Sequence, residues 1–132
     1  MIKIKALDHI VLRAEDEQQL ITFYNKILGC QIERQLPEIG LTQLRAGSAL
    51  IDIVGVKGKL GKAGGCAPGL EGHNVDHFCL TIEDIEPTAL LAFLDLHNIA
   101  HGGFSRRYGA EGYGESIYIK DPQHNSVELK LP

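Results

Sequence analysis

Residues 7–16 read LDHIVLRAED and residues 75–84 read VDHFCLTIED, identical at five of ten positions across an offset of 68. A chain that repeats itself in this way is built from two copies of one supersecondary unit. Each copy reads as a strand that runs into an acidic helix start. At Glu15-Asp16 and Glu83-Asp84 the carboxylates can satisfy free N–H groups of the first helical turn and complement its dipole. Pro87 suits a first-turn position in the second copy.

The segments that follow keep the parallel. Leu20, Phe23, Tyr24, Ile27 and Leu28 recur at three- and four-residue steps, predicting an amphipathic helix that stops at Gly29. Leu90, Leu91 and Leu94 predict the matching helix, ending near Asn98. Short runs consistent with strands come next, at about 31–36, 41–46 and 48–54 in the first copy. The second copy offers about 99–104, 115–120 and 125–131. Ala46-Gly47-Ser48 and Asp121-Pro122-Gln123-His124-Asn125 are the tight turns between the last two strands of each set. The expectation is an α+β fold of two βαβββ modules, about 1–55 and about 73–132, forming a curved mixed sheet around one cavity. Between them, residues 55–72 hold seven glycines, without the spacing of a phosphate-binding loop. This stretch reads as a flexible linker, long enough to let the modules pair within one chain or across a dimer.

Composition narrows the partners. Of 132 residues, 23% are charged and the net charge is -4; no basic stripe points to nucleic acid. No apolar run approaches a membrane span, and none resembles a signal peptide. Cys30, Cys66 and Cys79 are widely spaced, without a C-x-x-C pair. They read as reduced thiols in a cytoplasmic protein, two of them packed as small apolar residues.

The repeat also sharpens the reading of four polar residues. His9 and His77 hold equivalent places in the first strand of each module. ALIDIV around Asp52 matches SVELKL around Glu128, at an offset of 76. Alternation sets Asp52 between Leu50 and Val54 on one strand face, where a carboxylate wants a partner. Taken alone, Glu128 reads as a solvated strand residue, and a lone strand histidine as an ordinary polar contact. Together, two imidazoles and two carboxylates at repeat-equivalent positions form a donor set for one divalent metal: Zn, Ni, Fe or Mn.

The segments LDHIVLRAED, FYNKILG, VDHFCLTIED and SIYIKDPQHNSVELK resemble the vicinal oxygen chelate superfamily. It includes glyoxalase I, methylmalonyl-CoA epimerase, fosfomycin-resistance proteins and extradiol dioxygenases. The resemblance implies paired βαβββ modules, often exchanged between two subunits, so a homodimer with its site at or near the interface is expected. It implies that His9, Asp52, His77 and Glu128 are the metal ligands. Glyoxalase I-like enzymes usually carry a glutamate at the Asp52 position, so the arm here is one methylene shorter.

The activity implied is a metal-dependent lyase or isomerase acting on a small oxygen-chelating substrate through a metal-stabilised enolate. Glu128 is the candidate base, and Asp52 the second base that an epimerase would need. Residues 105–116, SRRYGAEGYGES, read as a loop near the cavity. Arg106 or Arg107 would anchor a substrate anion there, and Tyr108 and Tyr113 would close over it on glycine hinges. His73, His97, His101 and His124 have no repeat partner and read as surface residues. The alternatives are a methylmalonyl-CoA epimerase-like enzyme, a fosfomycin-resistance-type thiol transferase, and, in another class, a metal-free small-molecule binding protein.

Overall fold

The computed structural model describes residues 1–83 and 85–132. The acidic helix start expected at Asp84 lies outside the described residues. The chain divides into two compact units, Met1–Pro68 and Gly69–Pro132. Each carries one four-stranded mixed sheet, so the α+β class and the repeated βαβββ module are both present.

In module 1, β1 (His9–Ala14) leads into α1 (Glu17–Thr22), which continues as one π turn over Phe23–Ile27. Asp16 caps the helix, accepting a hydrogen bond from the Gln19 N–H at 3.0 Å, as its place in the repeat predicts. The helix buries Leu20 and Ile21 and lies against β1 and β4 (Ala49–Gly55). Gly29 follows the π turn with φ of 73°, the left-handed conformation that ends helices and favours glycine. With β2 (Ile32–Leu36) and β3 (Leu41–Ala46) the sheet order is β1-β4-β3-β2. Only β1 and β4 run parallel. Leu12, Leu20, Tyr24, Leu44, Ile51 and Ile53 form the buried core, each contributing roughly 1.5–3 kcal/mol by leaving water.

Module 2 repeats this topology. It runs β5 (Phe78–Thr81), α2 (Pro87–Leu96), β6 (Ser105–Gly109), β7 (Gly112–Lys120) and β8 (Ser126–Lys130), in sheet order β5-β8-β7-β6. Pro87 occupies the first turn of α2, and Asn98 takes a φ of 55° just past its end. Leu90, Leu94, Ile117, Ile119, Val127 and Leu129 are buried. The turn between β7 and β8 is built by Asp121. Its Oδ1 accepts from the N–H groups of Gln123 and Asn125 at 2.9 and 3.0 Å, and its Oδ2 from the Asn125 amide at 2.8 Å. Asn74 donates to Asn125 Oδ1 at 3.0 Å, which ties the segment just before β5 to the same turn.

The second strand of module 2 is not where the sequence placed it. Residues 99–104 contribute only a bridge from His101 to Ile119. Residues 105–116, expected as a glycine-hinged loop, instead form the β6–β7 hairpin, with Tyr108 opposite Tyr113 and Gly109 opposite Gly112. Side-chain pairing offsets the weak strand propensity of the glycines. The Tyr108 and Tyr113 rings meet edge to face at 5.1 Å, and the Arg106 guanidinium lies 4.0 Å over Tyr113.

The glycine-rich connector is also more ordered at its start than its composition predicts. Residues Gly61–Gly64 form a 3-10 turn. The Arg13 guanidinium donates to the carbonyls of Gly61 at 3.1 and 2.9 Å, Gly65 at 2.7 Å and Cys66 at 2.9 Å. Glycine is required here, because a Cβ on Gly61 would fall 1.8 Å from the Gly55 carbonyl oxygen. The three cysteines are free, but only Cys30 is buried while Cys66 and Cys79 are exposed, one packed thiol rather than two. Among the described residues no helix is long and apolar enough to cross a membrane.

Candidate functional site

The strand registers make the four candidate ligands equivalent. Val11 pairs with Asp52 and Cys79 with Glu128, while His9 and His77 each lie two residues earlier. Two-residue spacing keeps each histidine on the strand face of its neighbour's carboxylate. In module 1, His9 Nε2 lies 3.9 Å from Asp52 Oδ2. In module 2, His77 Nε2 lies 3.5 Å from Glu128 Oε1. Both separations exceed hydrogen-bond range. Two ligand atoms on one tetrahedral zinc sit roughly 3.4 Å apart at ordinary bond lengths, so each pair has the span of two ligands on one ion.

The far side of each imidazole is held the same way. His9 Nδ1 meets Asp8 Oδ1, and His77 Nδ1 meets Asp76 Oδ2, each at 2.6 Å. An N–H donated to a carboxylate fixes the tautomer and leaves the Nε2 lone pair aimed at the second carboxylate. The hydrogen bond that His9 donates to Asp8, reinforced by the charge of Asp52, raises the His9 pKa above its usual value. Within neither module, among the described residues, do three such groups converge at ligand spacing. Each supplies a pair.

The carboxylates are buried, Asp52 at 4% exposure and Glu128 at 7%. Gln43, opposite Asp52 on β3, donates to both of its oxygens at 3.1 and 3.2 Å. Tyr118, opposite Glu128 on β7, holds the corresponding place, its hydroxyl also 3.4 Å from His77 Nε2. Burial alone would push the Glu128 pKa up. Hydrogen bonds from Ser116, Tyr118 and Cys79, with the nearby His77, outweigh it and hold the carboxyl below its usual value. The same environment acts on Cys79, whose thiol is pushed up to about 11 by burial and then by the charge and hydrogen bond of Glu128.

A cavity of about 290 Å³ opens beside the second pair, lined by His77, Cys79, Glu128, Lys130, Tyr108 and Tyr113 among others. The two tyrosines expected to close over a substrate are therefore at its wall. Arg106 and Arg107 are not among its lining residues. Arg107 donates to the Ser116 carbonyl and hydroxyl at 2.8 and 3.0 Å, and Arg106 stacks on Tyr113 as above. Sequence reasoning passed over Gln43, Tyr118, Ser116, Lys130 and the two aspartates behind the histidines. The Asp-His dipeptide shared by both repeats was the available signal for the aspartates. The cross-strand partners required the register.

Comparison with known proteins agrees with this architecture. Residues 6–129 match the family model described as Glyoxalase/Bleomycin resistance protein/Dioxygenase superfamily. The chain belongs to that superfamily. Among solved structures it is similar to an integron cassette protein from the mobile metagenome of V. cholerae (24% identity, TM-score 0.77, 99% of this chain and 98% of that one). It is also similar to lactoylglutathione lyase from Agrobacterium tumefaciens (20% identity, TM-score 0.67, 97% and 94%). A third likeness is to the fosfomycin resistance protein FosX from Listeria monocytogenes (18% identity, TM-score 0.70, 98% and 95%). At these identities the likeness concerns the fold. No curated protein matches the chain. Members of the superfamily commonly use a divalent metal and act on small molecules.

Proposed function

We propose that this chain is a divalent-metal-dependent lyase or isomerase of the glyoxalase type, acting on a small substrate with neighbouring oxygens. The observation that carries the reading is the repeated pair, His9 with Asp52 and His77 with Glu128, each imidazole backed by an aspartate. One module supplies two ligand atoms, so a complete site takes two modules, from one chain or exchanged between the chains of a homodimer. Two imidazole nitrogens and two carboxylate oxygens suit Zn, Ni, Fe or Mn. When bound, the metal polarises substrate oxygens and makes an adjacent C–H more acidic.

The protein's own part is proton transfer. Hydrogen bonds hold Glu128 ionised, so it can accept a proton at neutral pH, and Tyr118 and Ser116 fix where its oxygens lie. Loss of those hydrogen bonds as the carboxylate turns towards substrate would raise its basicity. Asp52, held by Gln43, would serve as the second base.

The test is proton–deuterium exchange followed by NMR in D₂O, at carbons beside the carbonyl of a panel of 2-oxo and 2-hydroxycarbonyl compounds. Metal-loaded wild type is expected to exchange at least one of them. Glu128→Gln, with folding verified, is expected to slow that exchange by at least about 100-fold. Exchange that survives both chelation and Glu128→Gln would overturn the reading.

A further inference from the structure

Lys130 ends β8 with 6% exposure, and it lies two residues beyond Glu128 on the same strand face. A buried ammonium costs several kcal/mol unless it is paired. Among the described residues no carboxylate forms an ion pair with Lys130. Its Nζ donates to the carbonyl of Gly112, one acceptor for a group with three donors. The repeat shows that the fold does not demand a charge at this place. The equivalent residue of module 1, at the same offset of 76, is Val54, buried at 4% exposure.

The β6–β7 hairpin is shaped around this cation. A Cβ on Gly109 would lie 2.7 Å from Lys130 Nζ, and one on Gly114 would lie 3.0 Å from its Cε. The glycines that read as hinges instead make room for a lysine. Its side chain reaches the wall of the same cavity as His77, Glu128, Tyr108 and Tyr113.

We propose that Lys130 is the residue that recognises an anionic oxygen group of the substrate, a carboxylate or a phosphate or phosphonate, in the module 2 cavity. This rests on reading that cavity as the substrate site, but not on the metal. It assigns to one buried lysine the anchoring role that sequence alone suggested for Arg106 or Arg107. Both of those arginines are engaged within the hairpin. An ammonium at fixed distance from Glu128 would set the substrate's register: the anion held by Lys130, the exchangeable C–H towards Glu128.

The experiment is an NMR titration of the full chain with oxalate, a dianion with neighbouring oxygens, and with its neutral isostere oxamide, each with and without Mn²⁺. Wild type, Lys130→Met, Lys130→Arg and Gly109→Ala are compared, with folding verified by circular dichroism and metal affinity measured separately. Metal-free wild type is expected to bind oxalate. Lys130→Met is expected to lose at least about tenfold in oxalate affinity, as removal of a charge-assisted hydrogen bond predicts. Gly109→Ala, which keeps the charge but displaces the ammonium, should weaken oxalate binding in the same direction, and Lys130→Arg should retain most of it. Oxamide should not distinguish the variants. Oxalate binding that is absent in wild type, or equal in wild type and Lys130→Met, would overturn the proposal. Failure to take up metal together with Lys130-dependent oxalate binding would support this inference while removing the metal reading. Tight metal binding with Lys130-independent oxalate binding would do the reverse.

Discussion

Cys79 reports directly on the environment of Glu128. The residue is solvent-accessible, but its sulfur is partly enclosed beside Glu128, and that partial burial with the charge of Glu128 pushes the thiol up to about 11; only the thiolate reacts with alkylating reagents. In metal-free protein at pH 8, peptide mapping after iodoacetamide treatment should show Cys79 labelled slowly despite its accessibility. Glu128→Gln removes the neighbouring charge and should speed that labelling several-fold, on the order of one pKa unit of relief. Labelling of Cys79 that is fast in wild type and unchanged by the substitution would contradict the hydrogen-bonded arrangement. The environment of Glu128 was only half legible. Alternation gave its face and the repeat gave its equivalence to Asp52. Its burial depends on Tyr118, Ser116 and Cys79, which only the strand register brings to it.

Among the elements, His101 couples α2 to β7. Its Nε2 lies 2.8 Å from Asp95 Oδ1, its Nδ1 lies 2.8 Å from the Gly102 carbonyl, and it bridges to Ile119. Both ring nitrogens face acceptors, so the doubly protonated form is favoured. The Gly102 carbonyl and then Asp95 raise its pKa above the usual value. A raised folded-state pKa contributes stability below the unfolded value of about 6.5 and loses it as pH rises through the folded value. The thermal midpoint of wild type should therefore exceed that of His101→Ala most clearly at acidic pH, with the gap closing on the alkaline side. An NMR titration of His101 should show the raised midpoint, moved back towards 6.5 in Asp95→Asn. Because His101 has no counterpart in module 1, the repeat logic that picked out His9 and His77 passed over it.

The connector offers a second check. Gly61→Ala sets a Cβ against backbone at 1.8 Å and should cost about 2 kcal/mol or more in chemical denaturation. Gly69→Ala meets open space and should stay within about 0.5 kcal/mol of wild type. Equal effects at the two positions would mean that Gly61 does not pack against the Gly55–Val56 backbone as described. Glycine content suggested slack because glycine serves both flexibility and close approach. What distinguishes them here is Arg13, 48 residues from Gly61 in sequence, and no local pattern reports such a contact. The β6–β7 hairpin was missed for the same reason, its glycines being read as hinges when two of them make way for Lys130.

For the whole molecule, the repeated module was the most legible level. Two copies of an Asp-His strand, a helix stop at Gly29 and the Asp121–Asn125 turn were enough to specify topology, since each is a local signal that tertiary contacts reinforce. The identity of a substrate was not legible, because the residue proposed to recognise it, Lys130, breaks the repeat, with Val54 at the equivalent place. The central claim is that two equivalent His–carboxylate pairs hold one divalent metal. On the proposed reading a site would take two modules, and since each chain has two, the stoichiometry would be one metal per chain whether the modules pair within a chain or between chains. Metal content by mass spectrometry on tag-free protein, purified without chelator, tests this most directly. The account predicts about one divalent ion per chain in wild type, with His9→Ala and His77→Ala each folded but largely stripped of it. A wild type that carries no metal and takes up none from Zn, Ni, Fe or Mn would contradict the account and leave a metal-free small-molecule binder.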